Sequence, residues 1–281
     1  MAANRPDTEE SKVDYTGILL DLTALFAAVW ALDQFYFRRR RRQRAAESGI
    51  VDRDPWMVAW ARSLLPVLLL VGVFRSAVAE PFRIPSTSMM PTLEVGDFIL
   101  VSKFSYGIRL PQVRMKILDL GTPQRGDIVV FRPPWAAGEH WIKRVVGLPG
   151  DRIVVNGEKV WINGQLVDNQ PMGPYRDRGD RQDAYLLRNN AVLLEENLGG
   201  VGHRILEMPD INSSPLGAPD VPNARNPEIV PPECYFVMGD NRDNSEDSRY
   251  HGCVPDDALD GKAKVIWMSL ASIKRIGTAL H

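Results

Sequence analysis

Apolar and polar positions divide the chain into two regions of different period. From Tyr15 to Phe37 the residues are mostly apolar (ILLDLTALFAAVWAL), broken by Asp21 and Asp33, and the run stops at Arg38, Arg39, Arg40, Arg41, Arg42 and Arg44. This pattern predicts a first membrane span over 15–37, behind a polar head (1–14) and ahead of a basic loop (38–55). A second apolar run occupies the 19 residues from Trp56 to Phe74, which as a helix reach about 28 Å, close to the hydrocarbon thickness of a bilayer. With its exit it makes a second predicted span over 56–78, and its one charge, Arg62, is long enough to snorkel to the near interface. Lys and Arg gather on the cytoplasmic side of membranes, so the arginine loop is expected inside and both the head and everything after Arg75 outside. Two other readings of the first run exist. A cleaved secretory signal would begin with positive charge, whereas MAANRPDTEESKVD is net acidic. A buried helix of a soluble domain would also contain such a run, and the two aspartates weaken the membrane signal.

After Ala79 the helical runs give way to short alternating segments rich in Val and Ile and punctuated by Gly, Pro and Asn-Gly, the pattern of a β protein. Gly96-Asp97 precedes FILV, Gly126-Asp127 precedes IVVF and Gly150-Asp151 precedes RIVV; each predicts a turn feeding a strand. Asn156-Gly157 and Asn163-Gly164 bracket KVWI, the strongest local hairpin signal in the chain. From Asp168 to Pro232 the chain turns polar and rich in Pro and Gly, with apolar stretches AYLLR and AVLLEE around Asn189-Asn190. This reads as a β-rich insert over 155–231, the alternative being long loops without a core. CYFVMGD and KVIWMSL return to strand character, so 79–154 and 232–281 are expected to form one β domain that the insert interrupts.

Composition adds little: 44% hydrophobic and 25% charged residues in a chain of 281 are ordinary for a globular protein. A formal net charge of -1 argues against a nucleic acid as the main partner. Cys234 and Cys253 are the two cysteines, both in the part expected outside. An oxidising compartment would let them pair, but two thiols packed as small hydrophobes fit equally, since sequence does not give their separation.

Three islands carry candidate chemistry. In Pro85-Ser86-Thr87-Ser88-Met89-Met90-Pro91 two serines sit between prolines that restrict the backbone, with large apolar neighbours, a setting that suits a nucleophile but also an ordinary loop leaving a helix. In Trp141-Ile142-Lys143-Arg144-Val145-Val146 alternation sends Lys143 and Arg144 to opposite faces, so one is expected to face inward; a buried lysine loses its proton more readily. The alternative is that both cover surface with their stems. The third island, Gly239 to Tyr250, is dense in Asp, Asn, Ser and Arg and suggests a hydrogen-bonded loop that positions its neighbours; Arg242 at the third-ligand place excludes an EF-hand. A serine needs a base, and a Ser-His-Asp arrangement through His140 or His251 stays open beside a lysine base. No HExxH or paired Cys/His spacing is present, so a catalytic metal is not expected.

In this order, behind two predicted spans, PSTSMMPTLEVGDFILVSKFSYGIR, IKRVVGLPGD and GDNRDNSEDSRYHGCVP resemble the motifs of bacterial type I signal peptidases, the leader-peptidase family of Ser-Lys proteases. The resemblance implies a mainly β catalytic domain, a partly closed antiparallel barrel, without a cofactor. Carried over by position, Ser88 resembles the nucleophile and Lys143 the general base. Ser86 resembles a side-chain donor to the oxyanion hole, Ser245 a hydroxyl that orients the lysine, and Asp247 with Arg249 a supporting ion pair. Phe82, Ile84, Pro85, Met89 and Ile142 fall where the family builds shallow apolar pockets for small residues at -1 and -3. Thr87 stands where a Gly is frequent, and His251 and Cys253 where larger aromatics often stand, which bears on fine specificity more than on activity.

The implied partners are signal peptides of exported preproteins and the lipid bilayer, near the protein export channel; the implied place is the bacterial cytoplasmic (inner) membrane, with the catalytic domain on the extracytoplasmic side. Ser88 lies 14 residues beyond Phe74, which ties the site close to the bilayer surface. A narrower Ser-Lys protease that matures one secreted or pilus-related substrate, and a catalytically silent anchor for envelope proteins, are the competing readings.

Overall fold

The structure, a computed structural model, describes residues 15–48, 54–73, 79–109, 116–157, 159–176, 183–210 and 226–280. The expected head (1–14), the span exit (74–78) and parts of the basic loop and the insert lie outside the described residues. The chain forms two compact units, Met1–Val78 and Ala79–His281.

The first unit is helical. Helix α1 (Tyr15–Leu32) runs through a π turn (Asp33–Phe37) directly into α2 (Arg38–Ser48), and α3 (Trp56–Val73) follows. The π turn holds Asp33, which is buried and accepts from Arg41; Arg41 and Arg62 also pair with Asp54, so one acidic and basic network ties the ends of the helices together. The apolar helical segments α1 and α3 are 18 residues each, and α1 is shorter than the expected 15–37 because the turn at Asp33 interrupts its regular ladder. Among the described residues no helix is long and apolar enough to cross a membrane.

The second unit is mainly β. Its strands are β1 (Ala79–Arg83), β2 (Asp97–Ser102), β3 (Ile108–Arg109), β4 (Lys116–Leu118), β5 (Ile128–Phe131), β6 (Trp141–Gly147), β7 (Arg152–Asn156), β8 (Lys159–Ile162), β9 (Gln165–Leu166), β10 (Asp168–Pro174), β11 (Val192–Leu198), β12 (Val201–Glu207), β13 (Glu228–Ile229), β14 (Cys234–Met238), β15 (Val254–Pro255) and β16 (Leu259–Ser269). A seven-stranded antiparallel sheet in the order β1-β2-β16-β5-β6-β14-β15 forms the body. Register shifts in β14 and β16 bend it, but β1 and β15 remain its two edges, so the sheet stops short of a barrel.

The three Gly-Asp pairs behave as their spacing predicts. Gly96, Gly126 and Gly150 have φ of 93°, 92° and 87°, a left-handed backbone that glycine adopts without strain. The following Asp97, Asp127 and Asp151 each accept from the backbone N–H three residues earlier, at 2.9, 3.1 and 2.6 Å. Each is also neutralised by a cation, Arg275, Lys262 and Arg125 respectively. KVWI is β8, paired on one side with β7 and on the other with β9 across Asn163-Gly164.

The insert builds two small sheets, β13-β7-β8-β9 and β10-β11-β12. AYLLR, an apolar stretch of the insert, forms the short helix α4 (Asp183–Arg188), whose Leu186 packs with Met90, Leu206 and Met208. Val155, Val160, Val167 and Leu198 share a core with Val146, Phe236 and Met238 of the main sheet, so the insert is packed onto that sheet through common apolar contacts.

Candidate active site

Strand β1 leaves the sheet edge into the turn that carries Ser88. The turn is fixed from below by Met89, Met90 and Leu93, all buried. Strand β6 lies between β5 and β14, and it presents Lys143 to the side from which that turn approaches. Lys143 Nζ donates to Ser88 Oγ at 2.8 Å, and Ser86 Oγ lies 3.3 Å from Ser88 Oγ. Ser88 is largely buried, whereas Ser86 is exposed.

Alternation does send Lys143 and Arg144 to opposite faces, but both are buried, because β6 is covered on both sides. Arg144 donates to both carboxylate oxygens of Asp240, at 2.8 and 2.7 Å, and to Gly126 O at 2.7 Å. Burial would raise the Asp240 pKa, but the charge and hydrogen bonds of Arg144, with His203 and Thr92 beside them, together outweigh it and hold the carboxyl below the usual range. Among the described residues no carboxylate is in ion-pair contact with Lys143. Burial pushes its pKa down to about 8; Asp247 opposes this and Arg249 reinforces it. The ring of Trp141 lies 5.7 Å from Nζ and forms part of the dry wall.

The third island wraps both groups. Asn241 N donates to Ser88 O at 3.0 Å, Asn241 Nδ2 to Thr87 O at 3.2 Å, and Asn244 Nδ2 to Thr87 Oγ1 at 2.8 Å. Thr87, the departure from a frequent Gly, is therefore held by its hydroxyl. Asp247 caps the short helix α5 (Ser248–His251) and pairs with Arg249 at 2.8 Å. Ser245 Oγ donates to Asp247 Oδ2 at 2.8 Å and makes no hydrogen bond with Lys143 in this structure. Gly239 sits where no side chain fits: a Cβ there would lie 2.2 Å from Ser245 Oγ and 2.6 Å from Ser88 O. Sequence reasoning assigns no role to Gly239, Asp240 and Asn241; their approaches to Ser88, Thr92 and Thr87 span about 150 positions, which local pattern does not show.

Of the residues expected to line apolar pockets, Ile84 and Met89 are closed into the core with Leu93 and Ile99, and Ile142 is 8% exposed. Phe82 and Pro85 keep accessible surface. Among the described residues no histidine hydrogen-bonds Ser88, whose hydroxyl meets Lys143 and Ser86. His140 pairs with Asp260 at 2.9 Å and packs on Phe82; His251 pairs with Glu246 at 2.6 Å and stacks on Trp135. Cys234 and Cys253 form a disulfide with Cα atoms 5.7 Å apart, closing a loop that contains the whole third island. Among the described residues no group of His, Cys, Asp and Glu could hold a metal ion.

The family model described as signal peptidase, peptidase S26, matches residues 57–268. The chain belongs to this signal peptidase family. It is a signal peptidase enzyme, a serine endopeptidase. The enzyme is 41% identical over 276 residues to the signal peptidase I of Pseudomonas fluorescens, covering 90% of this chain and 91% of the relative. It is 43% identical over 231 residues to that of Pseudomonas aeruginosa, covering 78% and 75%, and 32% identical over 231 residues to that of Aquifex aeolicus, covering 73% and 82%. A solved signal peptidase I from Enterococcus faecalis is 27% identical, with a TM-score of 0.29 over 50% of this chain and 96% of that one.

Proposed function

We propose that this enzyme removes N-terminal signal peptides from exported preproteins with Ser88 as nucleophile and Lys143 as general base, and that it selects small residues at -1 and -3. The observation that carries this reading is the 2.8 Å contact between a buried lysine and a serine hydroxyl. Neutral Lys143 takes the Ser88 proton as Oγ attacks the scissile carbonyl. Ser86 Oγ and the Ser88 N–H stabilise the oxyanion. Collapse of the tetrahedral intermediate breaks the C–N bond, and the departing amine takes the proton back from Lys143. Water, activated by the same lysine, then hydrolyses the ester and frees the signal peptide. β1 is an edge strand beside Ser88, so an extended substrate adding to that edge would bring its carbonyl to the hydroxyl.

The membrane setting is part of the same proposal. Trp267, Leu270, Ile273 and Ile276 are exposed, and Leu270 N donates to Gly96 O while Gly96 N donates to Ile84 O, four residues before Ser88. A greasy surface therefore adjoins the site. The exposed Trp56, Trp60 and Leu70 of α3 and the arginine run after α1 favour a bilayer with arginines inside. Cleavage of a panel of unrelated preproteins, with Ser88→Ala as the dead control, tests the reading. Processing by Ser88→Ala would overturn it, and cleavage of one panel member alone would favour the narrow protease. Protease added outside spheroplasts should digest the region after Ala79 and spare the 38–54 loop.

A further inference from the structure

We infer that the β11–β12 hairpin of the insert is a positioning element for the Ser88–Lys143 pair, acting through a buried ionic link from Glu196 to Arg242. The inference rests on the proposed roles of those two residues and assigns the insert a task in the same reaction.

Strand β12 lies along the third island. Leu206 N donates to Asp240 O at 2.8 Å, Leu206 and Asn241 form a parallel bridge, and Met208 N donates to Asp243 Oδ2 at 2.5 Å. Glu196 of β11 and His203 of β12 face each other across the ladder, and both are buried. Arg242 Nη2 donates to Glu196 Oε2, which is also 3.1 Å from His203 Nε2; His203 Nε2 is 4.0 Å from Asp240 Oδ1. With the Asp240–Arg144 pair, this makes one buried chain of charged and polar groups, Arg242, Glu196, His203, Asp240 and Arg144. It runs from the insert to the residue next to Lys143. Burial alone would raise the Glu196 pKa, but the charge and hydrogen bond of Arg242 together with His203 outweigh it and hold the carboxyl at about 2. Nε and Nη1 of Arg242 have no partner, so Glu196 is the one carboxylate paired with this cation among the described residues.

The turn that Arg242 opens touches both halves of the site. Its neighbours Asn241 and Asn244 hold Ser88 O and Thr87 Oγ1, at 3.0 and 2.8 Å. Arg242 O accepts from Arg249 Nη2 at 2.6 Å, and Arg249 with Asp247 sets the field at Lys143. Removing the negative charge at 196 leaves Arg242 as a buried cation without a counter-charge, which the fold relieves by moving the turn. Small displacements of a nucleophile or base cost rate while leaving substrate binding largely intact.

The test uses the full chain in detergent and a peptide substrate spanning a cleavage point. Glu196→Gln should lower kcat by about ten- to a hundredfold, with KM little changed and the apparent pKa of the rate profile displaced from that of the wild type. Glu196→Gln combined with Arg242→Gln should recover much of kcat, since no buried charge is then left unpaired. A Glu196→Gln enzyme that melts earlier yet keeps wild-type kcat and pH profile would reduce the link to a structural brace and overturn the inference. So would a double variant no better than the single one. Should Glu196→Gln fail to fold, Arg242→Gln breaks the same link from its other end, and a wild-type kcat there overturns the inference too. Ser88→Ala runs beside them: turnover by that variant would sink the dyad itself, a different outcome from normal turnover by Glu196→Gln.

Discussion

Lys143→Met keeps most of the apolar stem, with sulfur in place of Cδ, and removes the ammonium group. Lys143 is 5% exposed, and burial takes its pKa from 10.5 to about 8. At about 1.4 kcal/mol per pKa unit, the fold carries a penalty of about 3 kcal/mol for holding the charged form. Below pH 8 the native and unfolded chains are both protonated at this position, so the whole penalty is present. Between pH 8 and 10.5 the native chain has lost the proton while the unfolded chain still binds it, so wild-type stability rises with pH and the penalty is gone above that window. The lost hydrogen bond to Ser88 takes back about 1 kcal/mol. Lys143→Met is therefore expected to be more stable than the wild type by about 2 kcal/mol at pH 7, with the margin closing toward pH 10. Denaturant unfolding from pH 6 to pH 10 measures it. Cleavage measured on the same samples should rise through an apparent pKa of about 8 in the wild type and be absent in Lys143→Met and Lys143→Arg, since arginine does not give up its proton. A stability difference that is flat with pH, or turnover by the methionine variant, would refute the reasoning.

Ser86→Ala should fold normally and lose about 10²- to 10³-fold in kcat, the cost of one oxyanion donor; a wild-type kcat would remove Ser86 from the hole. Changing a preprotein's -1 Ala to Phe should nearly stop processing, by overpacking the proposed small -1 pocket, at a cost of at least ~1 to 3 kcal/mol; equal cleavage of the two preproteins would count against it. Replacing Cys234 and Cys253 together by Ser opens a loop of sequence separation 19. This should cost about 3 kcal/mol and lower Tm by roughly 6 to 12 °C, read by calorimetry. His140→Ala and His251→Ala should both retain cleavage, and a dead histidine variant beside an active Lys143→Ala would hand the base role to histidine.

What the sequence determined by itself is the set of features made by residues close together along the chain. The Gly-Asp turns were legible because the aspartate closes on an N–H three residues back, and the β7–β8–β9 hairpins because Asn-Gly adopts the required backbone. Alternation correctly put Lys143 and Arg144 on opposite faces. It did not show that both faces of β6 are covered, because that depends on Asp240, 96 positions away, arriving on the Arg144 side. The order of the three islands pointed to Ser88 and Lys143 only through a family resemblance; their 2.8 Å approach across 55 positions is a fact of tertiary structure. The same holds for the disulfide, for Gly239 wedged between Ser245 and Ser88, and for Glu196 against Arg242. Residue periodicity states which way a side chain leaves its strand. What it meets there depends on which faces of distant segments are buried together, and burial is also what lowers the pKa of Lys143.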